Sequence, residues 1–132
     1  AERIKIALGS VAPLPVPLAF EVSGKDLATA SPRTIALSDS DIREAFQPIT
    51  EKLVSAIMGI LEVTPPELGA DIMRQGMLLT GGGALLRGFA DRITRATRIP
   101  VHVDSDPLTT VLRGAGITLD DPEKYRDLLI EC

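Results

Sequence analysis

Four residues without charge, Met77-Leu78-Leu79-Thr80, run directly into three glycines, Gly81-Gly82-Gly83. A short continuous apolar run closed by glycine at both ends predicts a strand buried on both faces. Phe89, Ile93 and Ala96 then fall at helical spacing, and Pro100-Val101-His102-Val103 predicts a second strand. Strand, helix and strand in that order imply a right-handed crossover and a parallel pair, so the chain is expected to be α/β. Residues without a Cβ, set where a buried strand meets a helix, let backbone approach a flat ligand or a phosphate. The N–H groups of a helix start face the same space. In open α/β sheets ligands sit beyond the carboxyl ends of the strands, which is where this loop falls. A tight turn that merely needed small residues reads the same way on spacing alone. A P-loop is excluded, because no Gly-Lys-Ser/Thr follows at the required distance.

The remaining chain divides around this unit. Ala1 to Leu8 predicts the end of a helix closed by Gly9, and Ser10 to Pro17 a proline-rich connector. Leu18, Phe20 and Val22 alternate with Ala19 and Glu21, the period of a half-buried strand. Ser23 to Asp26 reads as a turn and Arg33 to Leu37 as a second strand, together a small hairpin. Ser38 and Asp41 fit a capping box for a strongly amphipathic helix through Leu61, in which Pro48 predicts a kink near residues 44–48. Thr64-Pro65-Pro66-Glu67 fits a second capping box, with Pro65 in the first helical position and Gly76 closing that helix. Asp106 before Pro107 reads as the N-cap of a helix through Ala115, and Pro122 to Ile130 as a terminal helix.

Composition removes several classes. Apolar residues make up 45% of the 132, which argues for a folded chain. The net charge of −4 comes without a Lys/Arg cluster, so nucleic acid is not expected as a partner. One cysteine, Cys132, forbids an internal disulfide and fits a reducing compartment. The longest apolar stretch, Val11 to Phe20, holds Pro13, Pro15 and Pro17 and is too short to span a bilayer, so direct membrane insertion is not expected. The start Ala1-Glu2-Arg3-Ile4-Lys5 reads as mid-helix without a Met, and more protein is expected upstream.

A wider pattern emerges when the segments are taken together. Leu79-Thr80-Gly81-Gly82-Gly83-Ala84-Leu85-Leu86-Arg87-Gly88 resembles the adenosine motif of the actin, heat-shock chaperone and sugar-kinase superfamily, in the form found in the bacterial MreB/Mbl family of actin homologues. Ala1 to Ile6 with Gly9-Ser10 resembles that family's helix facing the motif. Glu21 to Leu27, Thr29 and Pro32 to Ile35 resemble its inserted small subdomain. Ile42-Arg43-Glu44-Ala45, Thr64 to Leu68 and Asp106 to Thr109 follow in the same order, so the resemblance covers about residues 1–118.

The resemblance implies the C-terminal part of an ATP-binding, actin-like filament protein of rod-shaped bacteria that organises cell-wall synthesis. It implies a partial ribonuclease-H-like domain, residues 1–10 and 49–132, with a small β-containing subdomain inserted at 11–48. Gly81, Gly82 and Gly83 would lie against the adenosine and its nearest phosphate, while Glu2 and Lys5 would hold ribose and adenine from the other side. Read without the resemblance, Glu2 and Lys5 are ordinary solvated helix charges. The implied cofactor is ATP or ADP with Mg²⁺. The implied partners are further copies of itself and cell-shape and wall-synthesis proteins, such as a RodZ-type membrane adaptor. The implied location is cytoplasmic, at the membrane as a filament.

Two departures qualify this. The chaperones carry an Arg, able to stack on adenine, where this chain has Leu85. The family's Asp- and Gly-rich phosphate hairpins, and the residues that place Mg²⁺ and the attacking water, are absent from these 132 residues. Phosphoryl transfer depends on them, so the chain is expected to lack catalytic and metal-binding residues and to be inactive alone. A chaperone or sugar-kinase fragment, or an interaction module that no longer binds nucleotide, are the competing readings. His102, the sole histidine, is expected to be structural on a buried strand, Asp120-Asp121 a solvated turn, and Cys132 inert. The Met77–Thr80 strand is expected to expose one unpaired edge.

Overall fold

The computed structural model describes residues 2–126. Helix α1 spans Glu2–Leu8, and Gly9 closes it by donating its N–H to the Lys5 carbonyl at 2.8 Å. Strands β1 (Ala19–Lys25) and β2 (Pro32–Ser38) form an antiparallel hairpin in which Val22 faces Ile35 and Phe20 faces Leu37. Phe20 and Val22 are half-buried while Ala19, Glu21 and Ser23 are exposed, so the period-2 reading of β1 holds. The turn does not sit at Ser23–Asp26. Gly24 and Lys25 stay in β1, paired with Arg33 and Pro32, and the chain reverses over 26–31. There the Asp26 carboxylate accepts from the N–H groups of Ala28 and Thr29, an Asx-type closure that outcompetes a turn at the glycine.

Helix α2 runs over Asp39–Glu62. Its expected capping box is present: the Asp41 N–H donates to Ser38 Oγ at 3.2 Å, and the Ser38 N–H to the Asp41 carboxylate at 2.9 Å. Asp39 adds a lock that the spacing did not reveal. Its N–H donates to the Leu18 carbonyl at 2.9 Å and its Oδ1 accepts the Leu18 N–H at 3.1 Å, clamping the start of β1 to the start of α2. Pro48 lies inside this helix, which continues through it. Just beyond, the buried Thr50 hydroxyl bonds back to the carbonyls of Phe46 and Gln47. Contacts of α2 with β2, α1 and the later helix α4 (Phe89–Thr97) hold both halves in place.

The second capping box is not formed. Helix α3 spans Pro66–Gln75 with Pro65 as N-cap, and the Thr64 hydroxyl donates backwards to the Ile60 carbonyl at 2.8 Å. Proline at both positions fixes φ without needing a side-chain cap. Gly76 follows at φ +84°, and an added Cβ would lie 2.7 Å from the Pro100 carbonyl oxygen.

Strands β3 (Met77–Leu79) and β4 (Val101–Val103) pair in parallel, Met77 with Val101 and Leu79 with Val103, with α4 between them in sequence. The expectation of burial on both faces fails: Leu78 is 62% exposed and His102 is exposed too. These two residues are register partners, so they lie side by side on a face that nothing among the described residues covers. Helix α5 spans Thr110–Asp120. Residues 122–125 are turn, Arg126 is 3-10 in conformation, and the rest of the expected terminal helix lies outside the described residues. The buried apolar residues among those described are Leu8 at the end of α1, Phe89 and Ile93 on α4, and Ala84 and Ile99 on either side of α4.

Candidate functional site

The glycine loop sits at the carboxyl ends of two parallel strands. After β3 the chain passes Thr80 and enters a single 3-10 turn, Gly82–Leu85. Gly81 takes φ +77°, a region where a side chain is strained, and its N–H donates to the Pro107 carbonyl at 2.7 Å. Ala84 is buried below, whereas Gly82, Gly83 and Leu85 face outward. A Cβ on Gly83 would meet no atom within 4 Å, and one on Gly82 would meet Leu108 at 3.6 Å, an ordinary contact. Neither glycine is at positive φ. The tight-turn explanation therefore covers Gly81 and leaves Gly82 and Gly83 unexplained by the fold. Their N–H groups open the 3-10 turn and donate to no acceptor among the described residues. The result is an open, flat surface with free donors, edged by two exposed leucines, Leu85 and Leu108.

The segment after β4 forms the other wall. Asp104 continues the ladder through a long N–H contact to the Leu79 carbonyl at 3.4 Å. Its carboxylate accepts from Arg113 Nη2 at 2.7 and 2.8 Å, from Thr110 Oγ1 at 2.9 Å and from the Asp106 N–H at 3.1 Å. The Arg113 guanidinium, then the Asp106 N–H and the Thr110 hydroxyl, hold Asp104 far below the usual carboxylate range. Asp106 is not the N-cap expected for a helix at Pro107. Helix α5 begins three residues later, behind Thr109, and Asp106 instead accepts from the Thr109 hydroxyl. Asp104 and Asp106 thus both build the turn between β4 and α5. Arg113, nine residues past Asp104, was invisible to motif reading, because a loop and a helix start bring them together.

Helix α1 reaches the loop through its carboxyl end. Arg87 Nη1 donates to the Ala7 carbonyl at 3.1 Å, the Val11 N–H to the Arg87 carbonyl at 2.9 Å, and Ser10 and Arg87 form a parallel bridge. Glu2 and Lys5 stand one to two turns further along. They pair with each other, Lys5 Nζ to Glu2 Oε1 at 2.7 Å, and stay largely exposed. Exposed i,i+3 pairs contribute little, so both side chains can redirect to a ligand at small cost. They line a cleft of about 340 Å³ between α1 and α2, walled by Ile4, Leu37, Ile42, Ala45 and Phe46. The structure brings Glu2 and Lys5 together there, and the glycine loop is not part of that cleft.

A family model described as MreB/Mbl protein matches residues 1–127. The chain belongs to the MreB/Mbl family. It is 48% identical over 120 residues to the cell shape-determining protein MreB of Escherichia coli K12, covering 91% of this chain and 35% of that protein. It is 40% identical over 124 residues to the cell shape-determining protein Mbl of Bacillus cereus, covering 94% of this chain and 37% of that protein. Crystal structures of MreB5 of Spiroplasma citri bound to ADP and to AMPPNP superpose with TM-scores of 0.88 and 0.87 at 29% identity. Both cover 96% of this chain and 38% of the MreB5 chain. The fold is therefore α/β and forms part of the actin-like MreB fold, and the chain spans little more than a third of its relatives' length. Among the described residues no helix is long and apolar enough to cross a membrane.

Proposed function

We propose that this chain is the C-terminal, nucleoside-binding part of an ATP-binding, actin-like filament subunit that serves bacterial shape determination and cell-wall synthesis. The observation that carries the reading is the pair Gly82 and Gly83, which the fold does not require, with unpaired amides facing open space at the ends of β3 and β4. The MreB5 relatives solved with ADP and AMPPNP support it. In this reading Gly81 to Gly83 meet the adenosine and its nearest phosphate, Leu85 forms an apolar wall, and Glu2 and Lys5 approach ribose and adenine from α1. Residues 1–10 and 49–132 act as one ribonuclease-H-like subdomain and 11–48 as its insert. Mg²⁺, bound with the nucleotide, supplies charge neutralisation at the phosphates. Its ligands and the attacking water's partners lie elsewhere in the full protein. The partners of the whole protein are further copies in a cytoplasmic, membrane-associated filament, with a RodZ-type adaptor and wall-synthesis proteins.

Titration of ATP into the full-length protein and its Gly82→Val variant tests the assignment. The fold leaves ordinary room for a Cβ at Gly82, so the branched side chain intrudes on the ligand and not on the core. Overpacking of this kind costs about 1–3 kcal/mol, roughly a 5- to 150-fold loss of affinity. Equal affinity of the two folded proteins would refute the site. The 132-residue chain alone is expected to release no phosphate from Mg²⁺-ATP above buffer; sustained release abolished by Gly82→Val would overturn that expectation.

A further inference from the structure

We infer that Asp104 and Arg113 are positioning residues for the glycine loop, fixing through the Pro107 carbonyl the orientation in which Gly81 to Gly83 receive a nucleoside. The inference rests on the nucleoside reading of that loop and adds the device that holds it. The Gly81 carbonyl accepts the Ala84 N–H within the turn at 3.1 Å, and its N–H is anchored outside the loop by the Pro107 carbonyl at 2.7 Å. Pro107 is buried but lies between two exposed residues, in a segment with no strand or helix of its own. The Thr109 N–H and the Thr109 and Thr110 hydroxyls close the segment onto Asp106, and Asp104 ties that turn to the end of β4 and to α5. Its carboxylate gathers the Asp106 N–H before Pro107, the Thr110 hydroxyl after it and the Arg113 guanidinium from the first turn of α5. Pro107 is thereby held from both sides. Removing this hub leaves β3, β4 and α4 intact, since none of their hydrogen bonds passes through the Asp104 side chain. It frees the Pro107 carbonyl to move, and Gly81 with it. A loop that must be ordered at the moment of binding charges that cost to the ligand.

The test uses the full-length protein with Asp104→Asn, Arg113→Gln and the double variant. Asp104→Asn preserves shape, and Arg113 is half-exposed, so neither change opens a cavity. Three readouts are taken: ADP affinity, amide exchange at Gly81 without nucleotide, and thermal unfolding without nucleotide. The expected result is ADP binding weakened in each single variant by at most roughly 10- to 150-fold, the scale of one lost charge-assisted hydrogen bond. The double variant should be no weaker than the worse single one, because both act through one hub. Gly81 exchange should accelerate, and ADP affinity should fall, by more than the accompanying drop in the unfolding midpoint accounts for. Additive losses, faster Gly81 exchange with unchanged ADP affinity, or weakening that merely tracks a fallen midpoint would each overturn the inference. If Gly82→Val weakens ADP binding and these variants do not, the brace alone fails. If ADP does not bind the unaltered protein, the nucleoside reading fails and takes the positioning role with it.

Discussion

Gly76, Gly81, Gly82 and Gly83 look interchangeable on paper, yet each answers to a different constraint. Gly76 is demanded by the fold: its φ of +84° and the Pro100 carbonyl oxygen 2.7 Å from an added Cβ leave no room. Gly83 is demanded by nothing in the chain. Gly76→Ala is therefore expected to destabilise by about 1–3 kcal/mol, read as a fall in the denaturant midpoint. Gly83→Ala should shift that midpoint by less than about 0.5 kcal/mol and act on nucleotide affinity instead. If Gly83→Ala unfolded the protein as Gly76→Ala does, the glycine run would be a structural turn and the ligand argument would lose its footing. The glycine cluster was legible in the sequence because three glycines together are conspicuous. Which of them the fold needs was not, since that depends on Pro107 and Leu108, some 25 residues away, folding over the loop.

At the scale of elements, patterns carried by neighbours in sequence were readable and patterns carried by competition were not. The Ser38 capping box, the alternation of β1 and the parallel β3–β4 pair each follow from spacing, and each is present. Thr64 and Asp106 had equally good local signatures, but Thr64 found a carbonyl one turn back and Asp106 was drawn into the turn that Asp104 organises. Burial of Leu78 and His102 was misjudged because an apolar run states a preference, and coverage comes from other parts of a protein. Two outcomes follow for α2. Ser38→Ala removes the hydroxyl that accepts the Asp41 N–H and should cost about 1 kcal/mol in thermal or denaturant unfolding. Asp39, held below its ordinary value first by the Arg43 guanidinium and then by the Leu18 N–H, carries a pH signature. A carboxylate with a depressed folded pKa stabilises above its unfolded pKa, near 4, and loses that contribution as pH falls through the lower folded value. Comparing Asp39→Asn with the parent from pH 7 to 2, the gap in melting temperature should be constant above about pH 5 and close below about pH 4. A gap that widened on acidification would assign the wrong sign to the clamp.

The whole molecule is short of covered apolar surface. Among the described residues five apolar side chains are buried, while Leu78, Ile60, Val111, Leu112 and Leu119 are each more than 60% exposed. Soluble monomers seldom display that much, and patches of this kind mark surfaces that are covered in use. Strand β3 adds a second demand. It pairs with β4 on one side, and among the described residues no strand lies on the other, so a row of backbone N–H and C=O groups stays open beside Leu78. An open apolar edge is a template for pairing with another chain. The α2 stripe through Ile49, Leu53 and Ile60 is exposed as well, a further apolar surface that association can cover. The isolated 132-residue chain is accordingly expected to dimerise or aggregate, with the Met77–Leu79 amides becoming protected as concentration rises. Sedimentation velocity across a hundredfold concentration range, paired with amide exchange, reads both quantities. A monomer throughout, with those amides already protected at the lowest concentration, would show the edge closed within the chain, and the apolar surface would then need another explanation.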